Sequence, residues 1–484
     1  ACLYDGCSTR QETRQALEEI AGLDQRIRVE YGAENQGIAG NSNLAMGMAR
    51  GEWVGLCDHD DLLSPDCLYL SAQAIASSQP DVIYSDEDKL SENGKWHMEP
   101  HFKPDFCADT LNSSNYVCHF LLMRRTVLEQ VGGFRTGYEG SQDHDLILRL
   151  AEATDRIVHL PHVMYHWRTV GTSMSNQNLA RCVESSRKAV EEHIGRMGHP
   201  GHVGLHKGML RLFYDVPHTL SATVAVLDSG DERQLRRCAD ALRGTSWPSL
   251  QWLLVTADPK RAALLPGCTV VETDRPFQRY RAMNQAMAAS RGDVVAFVDS
   301  SVCFSAPSWL EELLMYAQRD DVGAVTPVLA NRWKHVVHGG FALGMTGIAQ
   351  CRSHGLPRQY GGWHGMMQTS HNVGAVSSAA FAVRRDHWRT MVEAYQEGLG
   401  LVDWCMEANS RGLRHVITPH SWGWCSAKPL LLLGRHRHPG DCRLFEERHP
   451  DGEHSDPCYS VHFSRKKANY AIPSRREMKR VREK

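Results

Sequence analysis

Short apolar runs alternate along the chain with amphipathic stretches, which predicts strands that alternate with helices. An apolar stripe at helical spacing predicts a helix over residues 10–22, and Thr9 and Glu12 have the spacing of a capping box. Residues 52–57 are almost all apolar and end at an acidic stretch, as expected of a buried strand. Strands that alternate with helices indicate a mainly parallel α/β sheet covered on both faces.

The same pattern begins again in the second half of the chain, at the apolar run 222–227. Residues 43–61 align without a gap to residues 284–302, and residues 145–161 align without a gap to 403–419. Two matches in the same order predict a duplicated domain.

The repeat sets the predicted domain boundaries. We predict an N-terminal domain over residues 1–197, a Gly/His-rich linker over 198–221, a second domain over 222–465 and a basic tail over 466–484 that forms a solvated helix. The chain opens directly into a strand and a turn, so we expect the first strand of the first domain to lie upstream of Ala1.

The stretch "DHDD", residues 58–61, places three carboxylates and one imidazole in four positions after the apolar run. Like charges this close raise the electrostatic free energy unless a cation or hydrogen-bond donors offset it. In parallel α/β sheets, ligands bind beyond the carboxyl ends of the strands. Magnesium usually takes one or two protein carboxylates together with substrate phosphates, so the stretch predicts a site for a divalent cation and a diphosphate.

The two copies differ at the polar positions. Opposite Asp58, Asp60, Asp143 and His166 of the first copy, the second copy has Asp299, Ser301, Leu401 and Trp424. The second copy keeps framework positions and loses carboxylates and the imidazole, so we predict chemistry in the first copy alone.

The residues themselves leave some roles open. His166 is either a third cation ligand, which would favour manganese, or a hydrogen-bonded core histidine. Asp143 is either a general base beside the cation or an ordinary aspartate before a helix. Asp145 has a counterpart in Asp403, which indicates a structural role such as capping the next helix.

Composition is that of a soluble globular protein, with 42% hydrophobic and 23% charged residues. The formal net charge of −2 gives no general attraction to nucleic acid or to membranes. The 15 cysteines form no CxxC pair, which favours reduced thiols and a cytoplasmic location. The basic tail could touch anionic lipid weakly, so a peripheral position at the inner face of the cytoplasmic membrane is also predicted.

Several motifs in the first half resemble family-2 glycosyltransferases of the GT-A fold. They are "NQGIAGNSNLA", "ARGEWVGLCDHDDLLSP", "DVIYSDEDKL", "HFKPDF", "VGGFRTGYEGSQDHDLILRL" and "HLPHVMYHWR", and they cover about residues 1–195. The second half resembles the same family in "HVVHGGFALG", "RGLRHVITP" and "DPCYSVHFS". The likeness is strongest to bacterial enzymes that build O-antigen and rhamnose-containing polysaccharides.

The resemblance implies two tandem GT-A domains, the first lacking its first strand and the second degenerate. It implies an inverting sugar transfer from a nucleotide-diphosphate sugar to a glycan or lipid-linked glycan, with Mn²⁺ or Mg²⁺ stabilising the leaving diphosphate. The implied roles are a general base at Asp143, cation ligands at Asp60 and His166, and donor contacts at Asp5, Asn35, Asn43 and Asp58.

The chain departs from the family pattern at Gly6 and Gln142, where the family usually has carboxylates. Two other functions stay open: a catalytically inactive relative that binds carbohydrate or scaffolds partners, and a sugar nucleotidyltransferase. The acidic motif "YSDEDKL", residues 84–90, either faces the acceptor or forms a solvated loop.

Overall fold

The structure is a computed structural model that describes residues 1–169, 178–345, 347–426, 432–433, 439–450, 456–475 and 477. The chain divides into two compact units. Unit 1 contains residues 1–106 and 114–198, and unit 2 contains residues 107–113 and 199–484. Both units are α/β, with strands and helices that alternate along the chain, so the predicted α/β fold class is confirmed.

Unit 1 alternates strands and helices in the order that the sequence pattern indicates. Its elements are β1 (Cys2–Asp5), α1 (Gln11–Leu23), β2 (Arg28–Tyr31), α2 (Gly37–Gly47), β3 (Trp53–Leu56), β4 (Leu62–Leu63), α3 (Cys67–Ser78), β5 (Val82–Leu90), β6 (His97–His101), β7 (Leu121–Arg124), α5 (Arg125–Val131), α6 (Gln142–Ala153), β8 (Ile157–Arg168) and α7 (Leu179–Arg196), while the short helix α4 (Ala108–Ser113) belongs to unit 2. Strands β1 and β2 form one parallel pair, and a second sheet has the order β3-β7-β5-β8-β4 with β6 beside β5.

Unit 2 repeats this arrangement with more strands. Its elements after α4 are β9 (Gly201–His206), β10 (Met209–Tyr214), β11 (Ala222–Leu227), α8 (Glu232–Leu242), β12 (Leu250–Thr256), β13 (Thr269–Glu272), α9 (Arg279–Ala289), β14 (Val294–Asp299), β15 (Val302–Phe304), α10 (Trp309–Ala317), β16 (Val322–Ala330), β17 (Val336–His338), β18 (Phe341–Leu343), β19 (Ala349–Cys351), β20 (His371–Val373), β21 (Ala380–Arg384), α11 (Leu399–Ser410), β22 (Arg414–Cys425), β23 (Leu432–Leu433) and α12 (Pro439–Arg448). Three 3₁₀ segments, Pro259–Leu264, Trp363–Gln368 and Arg385–His387, complete it.

The strand orders of the two units correspond except at one place. The main sheet of unit 2 has the order β13-β12-β11-β14-β21-β16-β22-β15. In unit 1, β2-β1 and β3-β7-β5-β8-β4 follow the same order, but no strand among its described residues takes the place of β11. In unit 2, β11 pairs with both β12 and β14, which are the counterparts of β1 and β3. Among the described residues, unit 1 therefore has no counterpart of β11, as the resemblance implies.

Each unit has its own hydrophobic core. In unit 1, residues of α3 and of the central strands form a cluster of Cys67, Ala74, Ile83, Phe120, Leu122, Met164 and Tyr165. In unit 2, a larger cluster includes Phe297, Phe381 and Trp404, which are almost fully buried. Burial of such side chains contributes roughly 1.5–3 kcal/mol each.

Some local predictions differ from the structure. Helix α1 is present, but Arg10 is its N-cap and makes no side-chain capping bond, so the predicted capping box is not formed. No residue of α1 is buried, so its apolar stripe is not covered by the rest of the unit. In unit 2, the segment predicted as a linker contains the antiparallel hairpin of β9 and β10, and alternate residues of β10 are buried.

The predicted basic tail lies partly outside the described residues. Ala468 and Tyr470 are buried in unit 2, so the start of this segment is packed rather than solvated. Among the described helices, none is both long enough and apolar enough to cross a membrane.

Candidate functional site

Polar side chains gather at one edge of the main sheet of unit 1. Strands β3 and β5 both run antiparallel to β7, and β5 runs parallel to β8, so β3, β5 and β8 end at the same edge. The stretch 58–61 follows β3, Asp88 is near the end of β5, and His166 is near the end of β8. The loop 114–120, which leads into β7, lies at this edge as well. The sheet therefore brings together residues that are far apart in sequence.

The aspartates of the stretch 58–61 have different environments. Asp61 is buried, and its carboxylate accepts hydrogen bonds from Tyr165 Oη at 2.5 Å and from the backbone N–H of Arg168 at 2.7 Å. Burial raises the pKa of Asp61 despite these donors. In the described part of the chain, no hydrogen bond or ion pair reaches the carboxylates of Asp58 and Asp60. Asp61 has a structural role, whereas Asp58 and Asp60 remain open to a ligand.

His166 lies between two strands. It is directly opposite Leu62 of β4 on one side and Asp88 of β5 on the other. Its Nδ1 is 2.6 Å from Oδ1 of Asp88, and Nδ1 of His97 is 3.0 Å from Oδ2 of the same carboxylate. Ligand atoms of the three residues lie within 4.8 Å of one another, which is compact enough for a metal ion.

The position of Asp60 relative to this group follows from the strand ladder. Strand β4 is antiparallel to β8, and Leu62 is opposite His166. The same register, continued two residues before Leu62, places Asp60 opposite Arg168. The carbonyl oxygen of Asp60 indeed accepts a hydrogen bond from Arg168 Nε at 2.6 Å. The two predicted cation ligands thus come from adjacent chain segments at one sheet edge. A half-buried carboxylate together with an imidazole is a donor set that favours Mn²⁺ over Mg²⁺.

Asp143 is in the first turn of α6 and is half-buried. Its Oδ2 accepts a hydrogen bond from Asn115 Nδ2 at 2.7 Å, and Cys118 Sγ is 3.7 Å away. Burial raises the pKa of the Cys118 thiol well above its usual value, so Cys118 stays a neutral thiol beside the carboxylate. Asp143 is therefore tied to the loop that leads into β7.

A buried lysine holds this loop. Lys103 Nζ donates to Oε2 of Glu87 at 3.0 Å, to the carbonyl of Val117 at 2.7 Å and to the carbonyl of His119. Burial would raise the pKa of Glu87, but Lys103, His101 and His119 together outweigh this effect and lower that pKa. The His119 ring stacks on Tyr165, with 4.5 Å between centroids. The loop beside Asp143 is thus linked to the residues that hold Asp61.

The acidic motif of residues 84–90 is a buried strand, and the prediction that it forms a solvated loop is wrong. Asp86 and Glu87 are 0% and 6% exposed. Each is compensated by a partner distant in sequence: His159 Nε2 is 2.9 Å from Asp86 Oδ1, and Lys103 binds Glu87. The sequence analysis also missed Asp88, His97 and Asn115 as site residues.

The two residues at the start of the chain that are predicted to contact the donor, Asp5 and Asn35, already form hydrogen bonds within the chain. Asp5 is buried, and its carboxylate accepts hydrogen bonds from the backbone N–H and the hydroxyl of Ser8. Asn35 is exposed and forms a turn in which its Oδ1 accepts from Gly37 N and from Asn41 Nδ2, both at 2.9 Å. The register of β1 with β2 matches that of β12 with β13, so Asp5 corresponds to Thr256 in unit 2.

Asn43 has a different environment from the predicted nucleotide pocket. Its Nδ2 donates to the carbonyl of Phe134 at 2.8 Å, and its Oδ1 accepts from the N–H of Phe134 at 2.9 Å. The aligned Asn284 makes the same two bonds to Met391, at 3.0 and 2.9 Å. Because both copies keep this clamp, it serves packing, and we leave Asn43 out of the proposed donor site.

Asp145 also has a structural role, through ion pairs rather than through the capping that we predicted. Its fully buried carboxylate binds Arg135 and Arg149. Its counterpart Asp403 accepts from Arg448 Nε at 2.9 Å and lies 2.7 Å from a ring nitrogen of His449.

Unit 2 supplies its own cation at the place of the acidic stretch. Asp299, the counterpart of Asp58, is buried, and its Oδ2 lies 2.7 Å from Arg279 Nη1. Burial would raise the pKa of Asp299, but Arg279 and the hydrogen bonds from Ser301 together outweigh this effect and lower that pKa. The alignment that joins Asn43 to Asn284 places Ile38 opposite Arg279. Within the described residues of unit 1, no cation pairs with Asp58, whereas in unit 2 Arg279 pairs with Asp299.

Comparison with known proteins agrees with these features. The profile of glycosyl transferase family 2 matches residues 1–132 and 257–372, in both copies. An uncharacterized protein, y4gI, from Sinorhizobium fredii is 30% identical over 98% of this chain and 55% of its own length. The O-antigen biosynthesis protein RfbC from Myxococcus xanthus is 33% identical over 86% of this chain and 34% of its own length.

The chain thus spans about half or less of the length of these curated relatives. A solved structure of GalNAc-T7 with UDP, GalNAc and Mn²⁺ overlaps 49% of each chain, with 13% identity and a TM-score of 0.40. That overlap is too weak to support a conclusion about this chain. The profile match covers half of the residues and includes the acidic stretch 58–61, and on that basis the chain belongs to glycosyl transferase family 2.

Proposed function

We propose that unit 1 transfers a sugar from a nucleotide-diphosphate donor to a glycan acceptor during synthesis of a cell-surface polysaccharide. The observation that carries the proposal is the difference between the two copies. The carboxylates of Asp58 and Asp60 have no partner among the residues that the structure describes, while Asp299 is neutralised by Arg279. Open carboxylates of this kind suit a ligand that brings its own positive charge, such as a metal–diphosphate. Among the relatives, RfbC and a chondroitin synthase from Pasteurella multocida carry names of polysaccharide synthesis.

The reaction would be a single displacement with inversion. Asp143 accepts the proton of the acceptor hydroxyl while that oxygen bonds to the anomeric carbon and the bond to the diphosphate breaks. Asn115 holds one oxygen of Asp143 and so fixes the direction in which the other faces. A general base in this position contributes about 10²–10⁴-fold to the rate.

A divalent cation, when bound, would stabilise the charge that develops on the departing diphosphate. Asp60 and His166 would hold it, Asp58 would contact the donor sugar or ribose, and Asp5 and Asn35 would lie at the nucleotide. Unit 2 would have no transferase activity, because Leu401 replaces the base and Trp424 replaces the imidazole.

The test is release of free sugar from a panel of nucleotide sugars by the purified chain with Mn²⁺. Asp60→Ala and Ser301→Ala are matched substitutions at equivalent positions of the two copies. We expect Asp60→Ala to abolish turnover and Ser301→Ala to leave it unchanged. Asp143→Asn keeps an acceptor oxygen for Asn115, so it should fold normally and lose about 10²–10⁴-fold in rate. Full turnover by Asp143→Asn would remove the assignment of the base.

A non-catalytic carbohydrate-binding protein is the second candidate. The observation that favours it is the second copy, in which Leu401 and Trp424 take the places of Asp143 and His166. If the chain binds nucleotide sugars in the presence of Mn²⁺ but neither hydrolyses nor transfers them, this candidate replaces the first.

A further inference from the structure

We propose that Asp88 is a positioning residue that orients His166 for cation binding. It would hold the imidazole with hydrogen on Nδ1, so that Nε2 is the nitrogen offered to the metal. The inference rests on the proposed function, since it assigns His166 to the cation of that site. It adds a residue that the sequence analysis did not assign to the site.

The geometry of the pair supports this role. His166 Nδ1 and Asp88 Oδ1 are 2.6 Å apart, and hydrogen bonds to a charged acceptor are shorter than those between neutral groups. The side chains are 16% and 11% exposed, so water competes little for this bond. A carboxylate that accepts from one imidazole nitrogen fixes the tautomer and leaves the lone pair on the other nitrogen.

The backbone makes the pair rigid. Asp88 and His166 are directly opposite each other in the parallel ladder of β5 and β8. On its other side, β8 pairs with β4, where Leu62 is opposite His166. With a strand on each side, the backbone at His166 is held in place, and the hydrogen bond to Asp88 then sets the direction of the ring.

Unit 2 gives an independent observation. In its ladder of β16 and β22, Ala330 is opposite Trp424, and in that of β15 and β22, Cys303 is opposite Trp424. Trp424 therefore takes the place of His166, and Ala330 takes the place of Asp88. The copy without the imidazole also lacks the carboxylate, as expected if the carboxylate serves the imidazole.

Direct metal binding by Asp88 and His97 is the alternative to a positioning role for Asp88. The Nδ1 of His97 is 3.0 Å from the second oxygen of Asp88, and the His97 side chain is 52% exposed. Asp88, His97 and His166 could themselves bind the metal directly, as a cluster of two imidazoles and one carboxylate. We favour the positioning role because both imidazoles direct Nδ1 at the carboxylate at hydrogen-bond distance, which leaves both Nε2 atoms directed away from it.

The experiment measures Mn²⁺ binding by the whole chain without any donor. Affinity is read from electron paramagnetic resonance of free Mn²⁺, and pulsed resonance counts the imidazole nitrogens on bound Mn²⁺. The variants are Asp88→Ala, Asp88→Asn, His97→Ala and His166→Ala. Glu99→Gln, on the same strand as His97 and paired with the exposed Lys89, is the control.

If Asp88 positions His166, Asp88→Ala lowers Mn²⁺ affinity about 10–100-fold, the range found for outer-shell partners of metal-binding histidines. Asp88→Asn keeps one acceptor oxygen and loses less. His97→Ala and Glu99→Gln stay within about twofold of wild type, since neither residue holds His166. One nitrogen is counted in wild type and in His97→Ala, and none in His166→Ala.

Three results would overturn the inference: an unchanged affinity in Asp88→Ala, a loss in His97→Ala as large as in Asp88→Ala, or two nitrogens on Mn²⁺ in wild type. Absence of Mn²⁺ binding in wild type would overturn it as well. Thermal unfolding of each variant separates loss of the site from loss of the fold. Because no donor is present, a chain that binds Mn²⁺ as described but transfers no sugar would refute the proposed function and leave the role of Asp88 intact.

Discussion

Replacement of Asn43 by alanine should destabilise unit 1 without a direct effect on nucleotide binding. Asn43 clamps the backbone of Phe134 through two hydrogen bonds, at 2.8 and 2.9 Å, and joins α2 to the segment after α5. Asn284→Ala is the matched substitution in unit 2, where the same clamp holds Met391. The two variants should therefore behave alike.

The size of the effect follows from the groups left without partners. Each hydrogen bond contributes about 1 kcal/mol net, and an unsatisfied buried backbone group costs about 1–3 kcal/mol. Phe134 is buried, whereas Asn43 is half-buried, so water can reach part of the vacated space. We expect a loss of about 2–3 kcal/mol in the free energy of unfolding for each variant.

Hydrogen exchange followed by mass spectrometry is the suitable assay, because it reports on each unit separately. In Asn43→Ala, exchange should accelerate in the peptide that contains the amide of Phe134, and in Asn284→Ala in the peptide that contains Met391. Nucleotide affinity, measured by calorimetry on folded protein, should be unchanged in both. The reasoning is refuted if Asn43→Ala lowers nucleotide affinity at unchanged exchange, since the amide would then belong to the donor pocket.

Two further outcomes are expected. Lys103→Met should destabilise unit 1 by about 3–5 kcal/mol in urea unfolding, because it leaves the buried Glu87 unpaired. Lys89→Met, at an exposed ion pair, should destabilise it by under about 1 kcal/mol, and equal effects of the two variants would contradict the burial of the Lys103–Glu87 pair. Asp109 is buried, which would raise its pKa, but Arg319 and Arg414 lower that pKa to about 2. The ionised carboxylate of Asp109 therefore stabilises unit 2 fully above the pKa of the unfolded chain, near 3.8, and this stabilisation is lost as the pH falls through 2. Denaturation curves between pH 5 and 2 should show this loss in wild type and a shallower slope in Asp109→Asn, and identical slopes would contradict the assignment.

The repeat made much of the fold and part of the site predictable. It identified the equivalence of Asp58 with Asp299 and of His166 with Trp424, and the strand registers agree with the second of these. The repeat also indicates the role of Asn43. Both copies keep this asparagine although the second copy has lost acidic and imidazole groups, so the asparagine is expected to serve the fold.

Other features could not be derived from local sequence. A run such as "SDED" is typical of solvated loops, and it is buried here because Lys103 and His159 neutralise it across 16 and 73 residues. Such pairings depend on strand order and register, which one sequence does not reveal. Likewise, Thr9 and Glu12 have capping-box spacing, but the turn that precedes α1 leaves Arg10 at the cap.

The short helix α4 has a practical consequence for anyone who wants to isolate the first copy. Residues 107–113 lie within the first half of the chain yet belong to unit 2, where Asp109 pairs with Arg319 and hydrogen-bonds to Asn372. A protein cut after residue 198 would keep α4 and lose those partners, exposing an aspartate and apolar side chains that water does not normally reach. A well-behaved fragment would need a short polar bridge in place of this helix as well as a new C-terminus.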